Sequence, residues 1–284
     1  MQGVRNEARR VRLRKDWGKV SVRKIAEEEN TSPGAIYRLA RQMGLKTRER
    51  IYFPAISSAH KAVRGKNTRY PKTITSAKLS KRVLVRGDQN RKLSGVVSKG
   101  RLKGMPIYAL TLIERAHCPE SCSEWLSCYG NSMNWARRHR LDDELMKRLD
   151  VELDMAAARH PRGFLLRLHT LGDFGANAAE GVPYVDFWRQ RLSDTPALHI
   201  FGFTAHAPDS EIGRAIMKLN VQFSARFWIL FSDTEDLGGF SSKVIEREED
   251  SRHVVCPVEV EKSESCGTCG LCWSMRRPVE FVRH

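Results

Sequence analysis

Two regimes of hydrophobic patterning divide the chain at about Pro106. Beyond it, short apolar runs alternate with amphipathic stretches. "IYALTLI" from Ile107 predicts a strand, residues 133–159 one long amphipathic helix, and "GFLLRLHTLGDF" a strand running into a loop. "YVDFWRQRL" predicts a short helix, and "LHIFGFTAH", "SEIGRAIMKLN" and "RFWILFSDT" a strand, a helix and a strand, with "HVVCPVEV" as a last strand. Alternation of this kind implies parallel strands joined by crossover helices, hence an α/β sheet or partial barrel. Working residues in such folds gather at the C-terminal ends of the strands. The polar residues fall there: Arg167, His169 and Asp173, then Thr204 and His206, then Ser232 and Asp233. Arg167 and His169 alternate with Leu166 and Leu168, which predicts that both point to one face, where a cation beside an imidazole suits a carboxylate or phosphate.

Before Pro106 residues 20–45 read as two helices joined by a tight turn. Ile25 and Ala26 mark one helix, and Ile36, Leu39, Ala40, Met43 and Leu45 a second. Ser32 is a natural N-cap, Pro33 fits the first helical position and Gly44 closes the helix. A further helix is expected around Glu7 to Trp17. Helix, turn and helix in this order resembles the helix-turn-helix domains of bacterial and phage regulators and resolvases. That resemblance assigns DNA contacts to Ser32, Pro33, Gly34, Tyr37, Arg38 and Arg41. A plain helical hairpin used for docking is the alternative.

Charge sharpens the division. The net charge is +16, but residues 1–105 hold 28 Lys and Arg against 7 Asp and Glu, while residues 106–284 hold 21 against 26. Charge concentrated in this way attracts polyanions through counterion release, and nucleic acid is the expected partner. Residues 51–105, poor in large apolar side chains and carrying one acid, Asp88, predict a flexible basic linker. Three parts are expected: a small all-α unit at 1–50, a linker at 51–105 and an α/β domain at 106–284. Neither a membrane-spanning run nor a secretory leader is visible, so the expected compartment is the cytoplasm, with no membrane partner.

In a reducing compartment, seven closely spaced cysteines read as metal or redox ligands before disulfides. Cys118, Cys122 and Cys128 follow the first strand of the α/β part, and Cys256, Cys266, Cys269 and Cys272 lie near the end. Four thiolates close a tetrahedral zinc site or a cubane iron-sulfur cluster, and the sequence leaves both open there. Three thiolates leave one iron of a cubane free. His117, His169, His206 and His284 are spare ligands. The chain shows no phosphate-binding P-loop, His-Glu-x-x-His helix or serine nucleophile elbow.

The three-cysteine loop resembles that of the radical S-adenosylmethionine enzymes, whose usual pattern is C-x3-C-x2-C with an aromatic residue beside the last cysteine. Here Cys118 and Cys122 keep the first spacing, five residues separate Cys122 from Cys128, and Tyr129 follows. Those enzymes bind the amino group of their cofactor with a Gly-Gly-Glu motif after the second strand, a place held here by Gly172 and Asp173. Over residues 112–284, "CPESCSEWLSCYG", "RLHTLGDF" followed by "YVDFWRQRL", "FGFTAH" and "CGTCGLCW" ahead of "VEFVRH" resemble, in the same order, the phage and plasmid "gene product 88" family.

Together the resemblances imply a mobile-element protein that couples a DNA reader to a barrel-like iron-sulfur domain, and tethering such a domain to a DNA reader suggests that it modifies nucleic acid. Cys118, Cys122 and Cys128 would hold a 4Fe-4S cluster; Tyr129, Gly172 and Asp173 would contact S-adenosylmethionine; Arg167, His169 and Asp173 would serve catalysis. The four later cysteines would hold a second cluster or zinc. Two rivals stand beside this reading: a metal-containing DNA-binding regulator without catalysis, and a zinc-containing barrel enzyme that exchanges bases with Asp173 as its carboxylate.

Overall fold

The computed structural model describes residues 2–17, 20, 22–45, 56–90, 92–234, 237–274 and 277–283. The chain divides into two compact units, Met1–Tyr52 and Phe53–His284.

The first unit contains α1 (Gln2–Asp16), α2 (Val22–Glu28) and α3 (Pro33–Gln42). Leu13 of α1, Ile25 and Ala26 of α2, and Ile36 and Ala40 of α3 bury their side chains together. Ser32 caps α3 by accepting the amide of Ala35 at 3.2 Å, and Pro33 needs no amide partner at the first helical position. Gly44 leaves the helix at φ 64°, a left-handed conformation that glycine adopts without steric cost. Arg38 and Arg41 are exposed, whereas Tyr37 is half-buried edge-on to Trp17, ring centroids 6.0 Å apart. Glu29 joins α2 to α1 by accepting from Arg9 and Arg12 at 3.1 Å each. Burial alone would raise its pKa; the two guanidinium groups outweigh that and hold it low. The clamp therefore contributes fully above the ordinary carboxylate pKa and is lost as pH falls through the lowered one.

The second unit adds α4 (Lys61–Arg64), β1 (Val85–Arg86), β2 (Ile107–Ala109), α5 (Asp143–Arg159), β3 (Phe164–Leu168), α6 (Ala178–Asp194) and β4 (Leu198–Thr204). Then come α7 (Glu211–Gln222), β5 (Phe227–Ser232), β6 (Ser241–Ile245), β7 (Val254–Val255), α8 (Cys266–Cys269), α9 (Leu271–Ser274) and β8 (Val279–Val282). The eight strands form one sheet in the order β1-β2-β3-β4-β5-β6-β8-β7. Only β1 and β2 run antiparallel, and every other neighbouring pair is parallel. The sheet has two edges, β1 and β7, and among the described residues it is not closed into a ring.

Strands β2 to β5 lie side by side in chain order, with α5, α6 and α7 as their crossovers. All three helices cover the same face: Leu149, Leu153, Tyr184, Trp188, Ile212 and Ile216 pack on Phe164, Leu166, Leu168, Ile200 and Ile229. The alternate positions Leu165, Phe201 and Trp228 face the other way, against Leu93, Val97, Leu102 and Trp273. Both faces are thus apolar and covered, as expected of a mainly parallel sheet. Among the described residues no helix is long and apolar enough to cross a membrane.

Three expectations need correction. Residues 56–105 are not a flexible linker: Ile56, Val63, Ala77, Val83, Leu84, Leu93, Val97 and Leu102 are buried in this unit, and β1 lies among them. The apolar side chains are few, but among the described residues most are used, Leu79 and Val96 being exposed; residues 51–55 lie outside the described residues. The long helix begins at Asp143, capped by Asp142 on the Leu145 amide at 2.9 Å, because Arg138 upstream turns inward to a buried carboxylate. The last predicted strand is limited to Val254 and Val255, and the sheet is extended by β6 and β8.

Candidate metal centre

The three-cysteine loop leaves β2 and lies over the C-terminal ends of the parallel strands. The amide of Asp173, beyond β3, donates to the carbonyl of His117 at 2.9 Å, and the hydroxyl of Ser123 donates to Asp233, beyond β5. A buried ion pair holds the loop from beneath. Arg138, fully buried, donates to both oxygens of Glu114 at 2.7 and 3.0 Å, and also to the carbonyls of Gly130 at 3.1 Å, Met133 at 3.1 Å and Ala136 at 2.7 Å. Glu114 accepts in addition from Thr68 at 2.7 Å. Arg115, also buried, donates to Trp125 at 3.0 Å and Asn131 at 2.7 Å, while its Nη1 has no partner.

Cys118, Cys122 and Cys128 are free thiols. Burial pushes all three pKa values up, that of Cys122 to about 12. The charge of Asp173 raises Cys118 and Cys122 further, as does that of Cys128, so these groups share one electrostatic neighbourhood. Arg115 and Arg138 oppose the trend at Cys128. Tyr129 as a residue is 48% exposed, but its hydroxyl donates to the Thr170 carbonyl and is buried, which raises its pKa against the pull of Arg167.

The second cysteine group covers the opposite face of the sheet. Ser265 caps α8 through reciprocal bonds with Thr268, and Gly270 ends it at φ 71°. The amides of Cys266 and Gly267 donate to the carbonyls of Lys92 and Leu93 at 2.7 and 3.1 Å, fixing α8 to the segment expected to be a linker. Burial raises Cys256, Cys266 and Cys272, with Cys266 at about 11 against the attraction of Lys92 and Arg167. Cys269 belongs to the same neighbourhood, since its charge raises Cys266. Lys92 is paired with the buried Glu259 at 2.5 Å.

Arg167 neighbours both Tyr129 and the second cysteine group. Its guanidinium lies over Phe203 and Phe201, 4.5 and 5.5 Å from the ring centroids, its Nε donates to the His169 carbonyl at 3.3 Å, and its charge acts on Tyr129, Cys266 and Cys272. This juxtaposition is invisible in the sequence, where about a hundred residues separate Arg167 from Cys266.

The other expected residues fall out differently. Strand β3 ends at Leu168, and His169 does not share the face of Arg167. Its ring is buried on the helix side, stacked on Tyr184 and hydrogen-bonded to that hydroxyl at 3.0 Å, with Nδ1 unpartnered. Burial holds its pKa well below the ordinary value. The Asp173 carboxylate accepts from Phe174 at 2.7 Å, Thr204 at 2.8 Å and Ala205 at 2.7 Å, joining the ends of β3 and β4. Burial raises its pKa, and the hydrogen bonds with the attraction of His206 offset part of that rise. Of the spare histidines, His117 bonds Glu180 at 2.6 Å and the Leu141 amide at 3.0 Å, and His206 bonds the Gly175 carbonyl at 2.9 Å. His284 lies outside the described residues.

Gly172 has φ 80°, and a Cβ there would meet the Leu112 Cβ at 2.5 Å. Gly172→Ala is therefore expected to cost about 1–3 kcal/mol for the left-handed backbone alone, with the clash added, read as a lowered urea midpoint.

Thiols are the donor type that zinc and iron-sulfur clusters take, and at the first place they neighbour buried Arg115, whose Nη1 is orphaned. Among the described residues no three or more His, Cys, Asp or Glu side chains are close enough together as placed to hold a metal ion. No protein-family model, curated protein or solved structure matches the chain.

Proposed function

We propose that the protein is an iron-sulfur enzyme of the radical S-adenosylmethionine type that acts on nucleic acid, with α1 to α3 as a helix-turn-helix reader of duplex DNA. One observation carries this reading: three free thiols occupy the loop after the first parallel strand, beside the Gly172-Asp173 turn that follows the second. The order of motifs shared with the gene product 88 proteins is the ground for placing it on a phage or plasmid. A cubane cluster held there with one iron open, once reduced by an external one-electron donor, would supply one-electron chemistry for cleaving S-adenosylmethionine. The chain's own contribution is binding and exclusion of water. Cys118, Cys122 and Cys128 would be the ligands, buried Arg115 offsets negative charge at Cys128, and Arg167 presents a half-buried cation for a carboxylate or phosphate. The later four cysteines are a second metal site next to Arg167.

Two observations favour the regulator reading. Asp173 spends its carboxylate on three hydrogen bonds, and Gly172 is accounted for by its packing on Leu112. Anaerobic purification with iron, sulfide and zinc quantified, and electron paramagnetic resonance of the reduced protein with and without S-adenosylmethionine, separates the two. Iron and sulfide with a spectrum that shifts on adding the cofactor is the expected result. An unshifted cluster spectrum supports the regulator, and zinc alone overturns the radical reading.

A further inference from the structure

Residues 61–82 contain eight Lys and Arg, all exposed, and no Asp or Glu. Because this segment is folded into the α/β unit, its charge has a fixed place. Ile74 bridges Arg138 in parallel, with the Thr75 amide on the Arg138 carbonyl at 2.9 Å and the Arg138 amide on the Thr73 carbonyl at 3.1 Å. Residues 72–76 thus lie alongside 136–140. Exposed Arg69 and Lys72 are therefore carried on a segment next to the one that carries exposed Arg137 and Arg140, although Arg140 also neighbours Glu180 and acids follow where Asp142, Asp143 and Glu144 start α5.

Two aromatic residues next to the three-cysteine loop reach solvent there, Trp135 widely and Tyr129 in part, its hydroxyl being held by the Thr170 carbonyl. Trp135 is 72% exposed and Tyr129 48%. Trp135 sits on a turn that Arg138 fixes from inside through the carbonyls of Gly130, Met133 and Ala136. An indole held in water on a rigid support gains nothing for the fold, but it costs little entropy to stack on a ligand. Aromatic faces interleaved with cations are the chemistry that holds unpaired bases and their phosphates. Paired bases inside a duplex offer no free face to such a ring.

We infer that Trp135, with Tyr129 and the flanking Arg69, Lys72, Arg137 and Arg140, forms a single-stranded nucleic-acid platform that delivers an unpaired base to the three-cysteine loop. The inference rests on the nucleic-acid reading above and narrows it to single strands. The duplex-reading helices play no part in it.

The test is fluorescence anisotropy of the full chain with labelled oligothymidylate and oligouridylate of twelve nucleotides, and with a duplex, for the wild type, Trp135→Ala, Trp135→Phe and Arg38→Ala/Arg41→Ala. Trp135→Ala is expected to weaken single-strand binding by about tenfold, the loss of one stacked base, with duplex binding unchanged and Trp135→Phe largely retained. The double arginine variant keeps its single-strand affinity. The two oligomers tell DNA from RNA. Equal single-strand affinity in wild type and Trp135→Ala, or duplex binding without single-strand binding, overturns the platform while leaving the nucleic-acid reading intact. No binding to any probe overturns both. An unchanged melting temperature for Trp135→Ala assigns the lost affinity to the surface.

Discussion

Glu114→Ala is expected to destabilise the α/β unit by about 3–5 kcal/mol, because it strands the Arg138 guanidinium in the interior without its counter-ion. Arg138 is fully buried and Glu114 1% exposed, so water cannot take the place of the lost carboxylate. The remaining bonds from Arg138 run to backbone carbonyls and one hydroxyl, which do not neutralise the charge. Those carbonyls belong to the turn between Cys128 and Arg138, so the loop should loosen before the sheet does. Equilibrium urea unfolding gives the stability, and amide exchange of residues 128–138 against β4 locates the loss. A double replacement, Glu114→Leu with Arg138→Met, should recover much of the stability, since it removes the stranded charge. A loss below about 1 kcal/mol in the single variant would mean that the pair is open to solvent.

The second large effect concerns the thiols. Serine at Cys118, Cys122 or Cys128 is expected to remove one metal or cluster equivalent, and serine at Cys256, Cys266 or Cys272 to remove the other. Iron, sulfide and zinc per chain measure both. Any one of the first three should abolish the S-adenosylmethionine-dependent change in the resonance spectrum, while the later group should leave a first-site signal. The later group carries the larger cost in stability, because α8 and α9 cover Leu165, Phe201 and Trp228 through Trp273. If all six variants keep full metal content, the thiols are buried packing residues and neither site exists.

The two halves of the α/β unit were unequally legible in the sequence. β3, β4, β5, α6 and α7 follow from apolar runs and helical spacing, because both faces of this stretch are buried and the pattern is continuous. β6 and β8 carry few large apolar residues, as "SSKVI" and "VEFV" show, and take their place from pairing with residues far along the chain. The segment before β2 hides for a related reason. Its buried side chains recur at no helical or strand period, so composition alone suggested a tether. At the site, the three-cysteine loop and the Gly172-Asp173 turn were visible as short motifs. The Glu114-Arg138 pair and the approach of the second cysteine group to Arg167 were not, since each depends on how the chain returns. His169 was placed on the wrong face by extending strand alternation one residue beyond the end of β3.

The position of β8 sets the order in which the molecule can be assembled. It is inserted between β6 and β7 and hydrogen-bonded in parallel to both. A growing chain that has not passed Val279 leaves β7 with no neighbour and β6 with a bare edge. The sheet cannot be finished by adding strands outward in the order of synthesis; its far side must wait, partly open, for a distant piece to slide in. Nascent protein in this interval presents unpaired backbone and the apolar side chains that Val279 covers, Leu230 and Leu271 among them, a state prone to aggregate.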